Sequence, residues 1–264
     1  MCLKFAANLN FLFTEGAPSI FDKMRLAKQA GFNAVEIPYP SSEHIDSVAE
    51  VKEDVGVEVA LINIALGSNE LAFGSACRPG AEELFKTQLD ETISLAINLN
   101  CKKIHIMSGL NQLNNSYDEN LRTYIKNLTY ASKRMENANM IGVIEPINKY
   151  ALPGYMMNNY DTAIDIVHEI NSPNLKLMVD LFHLQHIRGN VTNTLKENKS
   201  IIGHIQIAQV PHRHEPDIVG ELDFEYVFGV IEEIGYKDWI GCEYKPKTTT
   251  TEGLNWLSKY GYSL

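Results

Sequence analysis

The chain has 264 residues, of which 45% are hydrophobic and 21% charged, with a formal net charge of −10 at pH 7. This is ordinary globular usage, which excludes disordered, collagen-like and coiled-coil chains, and no apolar run is long enough to cross a bilayer. An acidic chain without a basic run lacks the cationic face that exchanges for counterions on nucleic acid, and it is repelled by anionic membranes.

The predicted elements alternate from the start. A strand over Lys4–Asn8 is followed by a helix over Ser19–Ala30, where Ile20, Met24 and Ala27 share a stripe and Gly31 supplies the stop. Strands follow over Ala34–Pro38 and Glu58–Ala65. A longer helix over Glu82–Leu99 carries Leu84, Phe85, Leu89, Ile93, Ala96 and Ile97 as its apolar stripe. Further strands are predicted over Lys102–Ser108, Gly142–Asn148, Leu175–Leu181 and Gly203–Ala208. Asp223 is placed to N-cap a helix running to Ile234 with Gly235 behind it, and a last strand covers Trp239–Tyr244.

Strands recurring every ~30 residues with helical patterns between them are βα units around a parallel sheet. The sequence shows no linker, repeat or low-complexity tract, so residues 1–264 read as one domain. The expected architecture is a single (β/α)8 TIM barrel. A doubly wound sheet is the competitor, but the turn after the first strand lacks the glycines of a phosphate cradle. In a barrel the functional groups lie at the C-terminal ends of the strands.

Four strands carry an oxygen-bearing side chain there: Glu145 in GVIEPIN, Asp180 in LKLMVDLFH, Gln206 in GHIQIAQ and Glu243 in WIGCEYKP. Period-two alternation puts Leu175, Leu177 and Val179 on one face and Asp180 on the other, and separates Ile205 and Ile207 from His204 and Gln206. Three carboxylates converging away from water repel one another and resist desolvation, and a divalent cation relieves both costs. Two Glu, one Asp and one Gln form an all-oxygen shell of the kind preferred by Mg2+ or Mn2+. Taken singly, each acid would read as a strand-end cap or a surface ion pair; four on consecutive strands favour the metal. His183 lies three residues after Asp180, and Arg213 lies in QVPHRHEPD, where it can clamp a carboxylate substrate or pair with Glu215 or Asp217. His105 reads as a core histidine or a substrate contact, and Asn8 and Asn10 as turn caps or donors to a substrate hydroxyl.

The segments IEPIN, VDLFHLQ, GHIQIAQVPHRHEPD, GELDF and GCEYKP, with KFAANLNFLF, AGFNAVEIPYP and LINIALG earlier, resemble the hydroxypyruvate isomerase family of the xylose-isomerase-like barrels. The resemblance covers essentially the whole chain. It implies a divalent metal, Mg2+ or Mn2+, at Glu145, Asp180, Gln206 and Glu243, with Glu145 and Glu243 doubling as the acid/base pair. Many relatives in the wider group place His where this chain has Gln206. It also implies an intramolecular oxidoreductase that interconverts hydroxypyruvate and tartronate semialdehyde through an enediolate. One glutamate takes a carbon-bound proton and the other returns one to the neighbouring carbon. His183 and Arg213 would hold the oxygens of a small hydroxy-keto acid.

The same metal site would serve a 2-oxo-tetronate isomerase or a keto-sugar 3-epimerase. A DNA-repair endonuclease can share the barrel but needs more His ligands and a basic groove. A non-catalytic sugar-binding barrel would be expected to lack one of the two glutamates. The four cysteines, Cys2, Cys77, Cys101 and Cys242, form no CxxC pair, and the polar Lys4, Asn8 and Asn10 interrupt any leader-like apolar run. A reducing, cytoplasmic setting is therefore expected. A homo-oligomer is compatible with the sequence, which identifies no interface for one.

Overall fold

The computed structural model describes residues 3–41, 44–68, 71–111 and 115–264; Cys2, noted above, lies outside them. Strands β1 (Lys4–Asn8), β2 (Ala34–Ile37), β3 (Glu58–Asn63), β4 (Lys103–His105), β5 (Ile141–Ile144), β6 (Leu175–Asp180), β7 (Ile202–Ile207) and β8 (Trp239–Cys242) close into a barrel in sequence order. Between them run α1 (Ile20–Gln29), α2 (Val48–Val55), α3 (Glu82–Asn98), α4 (Tyr117–Ala138), α5 (Tyr160–Ile170), α6 (Leu181–Ile187), α7 (Val191–Glu197) and α8 (Phe224–Glu233). Two short helices, α9 (Thr250–Gly253) and α10 (Trp256–Lys259), end the chain. The (β/α)8 architecture expected from the sequence is the one observed. Among the described residues no helix is long and apolar enough to cross a membrane.

Local chemistry starts the helices where the sequence predicts. The Ser19 side chain accepts from the Asp22 N–H, and Asp223 accepts from that of Tyr226. Ser116 and Glu119 form a reciprocal capping box at the head of α4. Gly31, beyond α1, sits at φ 104°, a conformation that a residue with a Cβ rarely adopts.

Most strands end before their predicted ends, β4 and β5 by the widest margin. β4 ends at His105, because the following segment turns to Tyr155, whose hydroxyl accepts from the Ser108 N–H at 2.8 Å. β5 ends at Ile144, immediately before Glu145 and Pro146, and Ile147 donates its N–H to Met157 instead. The α3 stripe is also rotated from the predicted one. Leu84 and Ile97 are exposed, while Gln88 and Thr92 are buried. The buried pair is satisfied: Gln88 accepts from Ser75, and Thr92 accepts from the Ala65 N–H and donates to the Gln88 carbonyl.

The chain divides into two compact units, residues 1–60 with 179–264, and residues 61–178. Both divisions fall inside strands, β3 and β6, rather than in linkers. In the first unit Phe5 packs edge-on against Phe228, Trp256 and Tyr262, with ring centroids 5.0–5.7 Å apart. Trp256 is fully buried and gives its indole N–H to Tyr244 at 3.0 Å, which ties α10 to the segment after β8. In the second unit Leu61, Val143 and Met178 pack together, with Ile141 beside them.

Candidate active site

Asn8, Glu36, His105, Glu145, Asp180, Gln206 and Glu243 all stand at or just beyond the C-terminal ends of their strands. Asp180 is the last residue of β6 and also the N-cap of α6. Its Oδ1 accepts from the Phe182 N–H at 2.7 Å. Its Oδ2 accepts from Arg213 Nη2 at 2.9 Å and lies 3.5 Å from His183 Nε2. Both carboxylate oxygens are therefore engaged within a fully buried side chain.

Arg213 pairs with Asp180 and Glu243, not with Glu215 or Asp217. Its Nη2 reaches the carboxylates of both, and its Nε donates to the Glu243 carbonyl at 3.1 Å. The guanidinium lies 4.5 Å from the Phe11 ring centroid and 4.8 Å from that of Phe182. Its backbone is left-handed, φ 59°, and is held there by hydrogen bonds from its N–H to Gln209 and from the Lys245 N–H to its carbonyl. Gln209 shapes this loop: its amide donates to Pro216 and Leu222 and accepts from the N–H groups of Val210 and Leu222. Glu215 is buried and accepts the Lys247 N–H, while Asp217 faces Lys259.

Burial raises the Glu243 carboxyl well above the ordinary carboxylate range, against the pull of Arg213. Burial acts the same way on Asp180, but His183, Arg213 and the Phe182 N–H outweigh it, and Asp180 stays below its ordinary value. Burial pushes His183 down to about 3, against the pull of Asp180. In the other unit His105 is buried, with Nε2 3.6 Å from Glu145 Oε2.

The sequence reading passed over Glu36, although AVEIPYP carries the signal used for the others, an acid inside an apolar strand. Glu36 is buried and paired in register with Asn8. Its Oε2 accepts from Asn8 Nδ2 and Gln206 Nε2, both at 2.8 Å, and its Oε1 bonds His204 Nε2. Asn8 also donates to Glu243 at 3.2 Å, and its oxygen accepts the Asn10 N–H, the turn-capping use expected of it. Asn10 itself is exposed.

Glu145, Asp180 and His183 are each buried, and carboxylate and imidazole groups of this kind can bind a metal ion. Gln206 is buried too, and its Oε1 accepts no hydrogen bond. Carboxylate and amide oxygens with one neutral imidazole are donors that suit a divalent cation.

Comparison with known proteins places the chain. Residues 24–260 match the family model described as xylose isomerase-like TIM barrel. A Drosophila melanogaster protein provisionally named hydroxypyruvate isomerase is 56% identical over 266 residues, covering 100% of both chains. The hydroxypyruvate isomerase of Escherichia coli is 36% identical, covering 98% of this chain and 99% of its own. A Brucella melitensis crystal structure described as an AP endonuclease, family 2, superposes with a TM-score of 0.92 at 34% identity, covering 98% of this chain and 99% of that one. The chain therefore belongs to the xylose isomerase-like TIM barrel family, among the hydroxypyruvate isomerases and their relatives.

Proposed function

We propose that this isomerase-family chain interconverts hydroxypyruvate and tartronate semialdehyde. The observation that carries this reading is that buried Asp180 and His183 stand beside Arg213, which also holds Glu243, in a chain that matches hydroxypyruvate isomerases over its full length. Glu145, Asp180, Gln206 and Glu243 would hold Mg2+ or Mn2+, with His183 adjoining. When bound, the cation supplies positive charge that stabilises an enediolate. One of Glu145 and Glu243 removes a proton from C3 of hydroxypyruvate. A proton is returned to C2, and the hydroxyl proton on O3 is replaced by one on O2, so the product is the isomeric aldehyde and no redox partner is consumed. The guanidinium of Arg213, fixed between two aromatic rings, takes the substrate carboxylate, and His183, a neutral ring, hydrogen-bonds a substrate oxygen.

The chain's charge of −10 and the neutral amide at Gln206 favour this chemistry over cleavage of DNA. Cys77, Cys101 and Cys242 are buried free thiols, which accords with a reducing cytoplasmic compartment. The test is a panel of hydroxypyruvate, 2-oxo-tetronates and neutral ketoses, offered to chelator-stripped protein reconstituted with Mg2+ or Mn2+. Preferred turnover of hydroxypyruvate is expected. Turnover of 2-oxo-tetronates or ketoses with none of hydroxypyruvate would reassign the substrate.

A further inference from the structure

We propose that Glu36 is a positioning residue that fixes which end of the Gln206 amide is presented as a ligand atom. The inference rests on the reading of Gln206 as a metal ligand. A side-chain amide has two ends of nearly equal size, one an acceptor and the other a double donor, and a half-turn exchanges them. Something must decide which end faces outward. Glu36 Oε2 takes the Gln206 Nε2 at 2.8 Å, and a carboxylate can only accept. The NH2 group is thereby drawn to Glu36, and Oε1 is left buried with no hydrogen-bond partner, available to a cation.

The carboxylate that does this is itself held on several sides. Asn8 donates to the same oxygen, and His204 bonds the other. Room for it comes from β8. Gly241 pairs in register with Gln206, and a Cβ at Gly241 would stand 2.1 Å from Glu36 Oε1. The strand that leads to Glu243 thus carries no side chain where Glu36 must fit. Glu36 is itself buried and bonds the Gln206 amide, so it acts through Gln206 as an outer-layer group that orients a ligand.

The test is Mn2+ affinity, measured by calorimetry on chelator-stripped parent, Glu36→Gln, Gln206→Ala and the double variant. A Gln at position 36 can accept or donate, so it no longer selects one orientation. Glu36→Gln is expected to weaken Mn2+ by about 10–100-fold, as loss of an outer-layer partner commonly does. The double variant should bind no more weakly than Gln206→Ala, because the effect passes through the amide. Unchanged affinity in Glu36→Gln, or an equal further loss in the double variant, overturns the role of Glu36 while leaving the metal reading intact. A parent that binds no Mn2+, or a Gln206→Ala variant that binds like the parent, removes Gln206 from the metal shell and the Glu36 role with it. If Glu36→Gln does not fold, the metal-free parent still decides. The Gln206 NH2 resonances, assigned by their loss in Gln206→Ala, should be protected from solvent exchange; rapid exchange would overturn the proposal.

Discussion

Arg213 and Asp180 are joined by a hydrogen bond of 2.9 Å between Nη2 and Oδ2, and the same nitrogen reaches the Glu243 carboxylate. One guanidinium therefore serves two acids that sequence separates by 63 positions. It also places a fixed cation beside the acids that the proposed reaction uses.

Replacing Arg213 with Ala should affect an anionic substrate more than a neutral one. A charge-assisted hydrogen bond contributes ~1.5–3 kcal/mol, so KM for hydroxypyruvate should rise about 10–100-fold. A neutral hydroxy-ketone analogue should change much less. Steady-state kinetics on both compounds checks this, and equal losses would assign Arg213 to holding Asp180 and Glu243 rather than to the substrate.

Glu243→Gln keeps the shape and one ligand oxygen but removes the base. Turnover should fall by ~10²–10⁴-fold, the usual contribution of a positioned acid or base, with metal binding largely retained. Near-normal turnover in the reconstituted variant would take Glu243 out of the chemistry.

Gln206→His replaces an amide oxygen by an imidazole, which suits Zn2+, Ni2+ and Co2+ better than Mg2+. Chelator-stripped variant and parent, titrated with each ion, should differ in the ion that activates best. An unchanged order and unchanged affinities would place Gln206 outside the ligand set.

Gly241→Ala should destabilise the fold through Glu36. The added Cβ would lie 2.1 Å from a buried carboxylate oxygen, so something must shift. Overpacking of this kind costs about 1–3 kcal/mol, readable as a lower urea midpoint. A variant as stable as the parent would show that Glu36 is not held where it stands.

Alkaline pH should weaken the fold before the native thiols ionise. Burial pushes Cys77 up to about 12 and Cys101 to about 11, from an ordinary 9.0. In the unfolded chain these thiols release their protons near 9, whereas the native chain keeps them. Stability is thus undiminished below that point and falls as pH rises towards the native values, by ~1.4 kcal/mol per pH unit for each such group. Urea unfolding between pH 8 and 10 should show the decline, and Cys101→Ala should make it shallower. A flat profile would contradict the burial of these thiols.

The barrel was legible because its strand starts and helix caps are local features. Ser19 and Asp223 cap where their spacing says they should, and Gly31 and Gly235 follow their helices at positive φ. Strand ends were less legible, since β4 and β5 stop where partners from residues 155–157 take over the backbone N–H groups. The rotation of α3 depended on Ser75 and Ala65 satisfying Gln88 and Thr92, which periodicity alone does not encode. At the candidate site, residue type and strand position pointed to Glu145, Asp180, Gln206 and Glu243. The partners of Arg213 lie 30 and 33 positions away and follow only from the fold. Glu36 carried the same signal as the other acids, but its use, bonding Gln206 across 170 positions, has no local trace.

The most direct test of the proposed chemistry follows hydroxypyruvate itself. Chelator-stripped protein is mixed with hydroxypyruvate and titrated with Mn2+ while proton NMR monitors the substrate C3 methylene and the aldehyde of tartronate semialdehyde. The prediction is no conversion without the ion, conversion that saturates as the ion is added, and loss of that conversion in Glu145→Gln and Glu243→Gln. Equal conversion in stripped protein, or full activity in both glutamate variants, would contradict a metal-dependent isomerase working through these two residues.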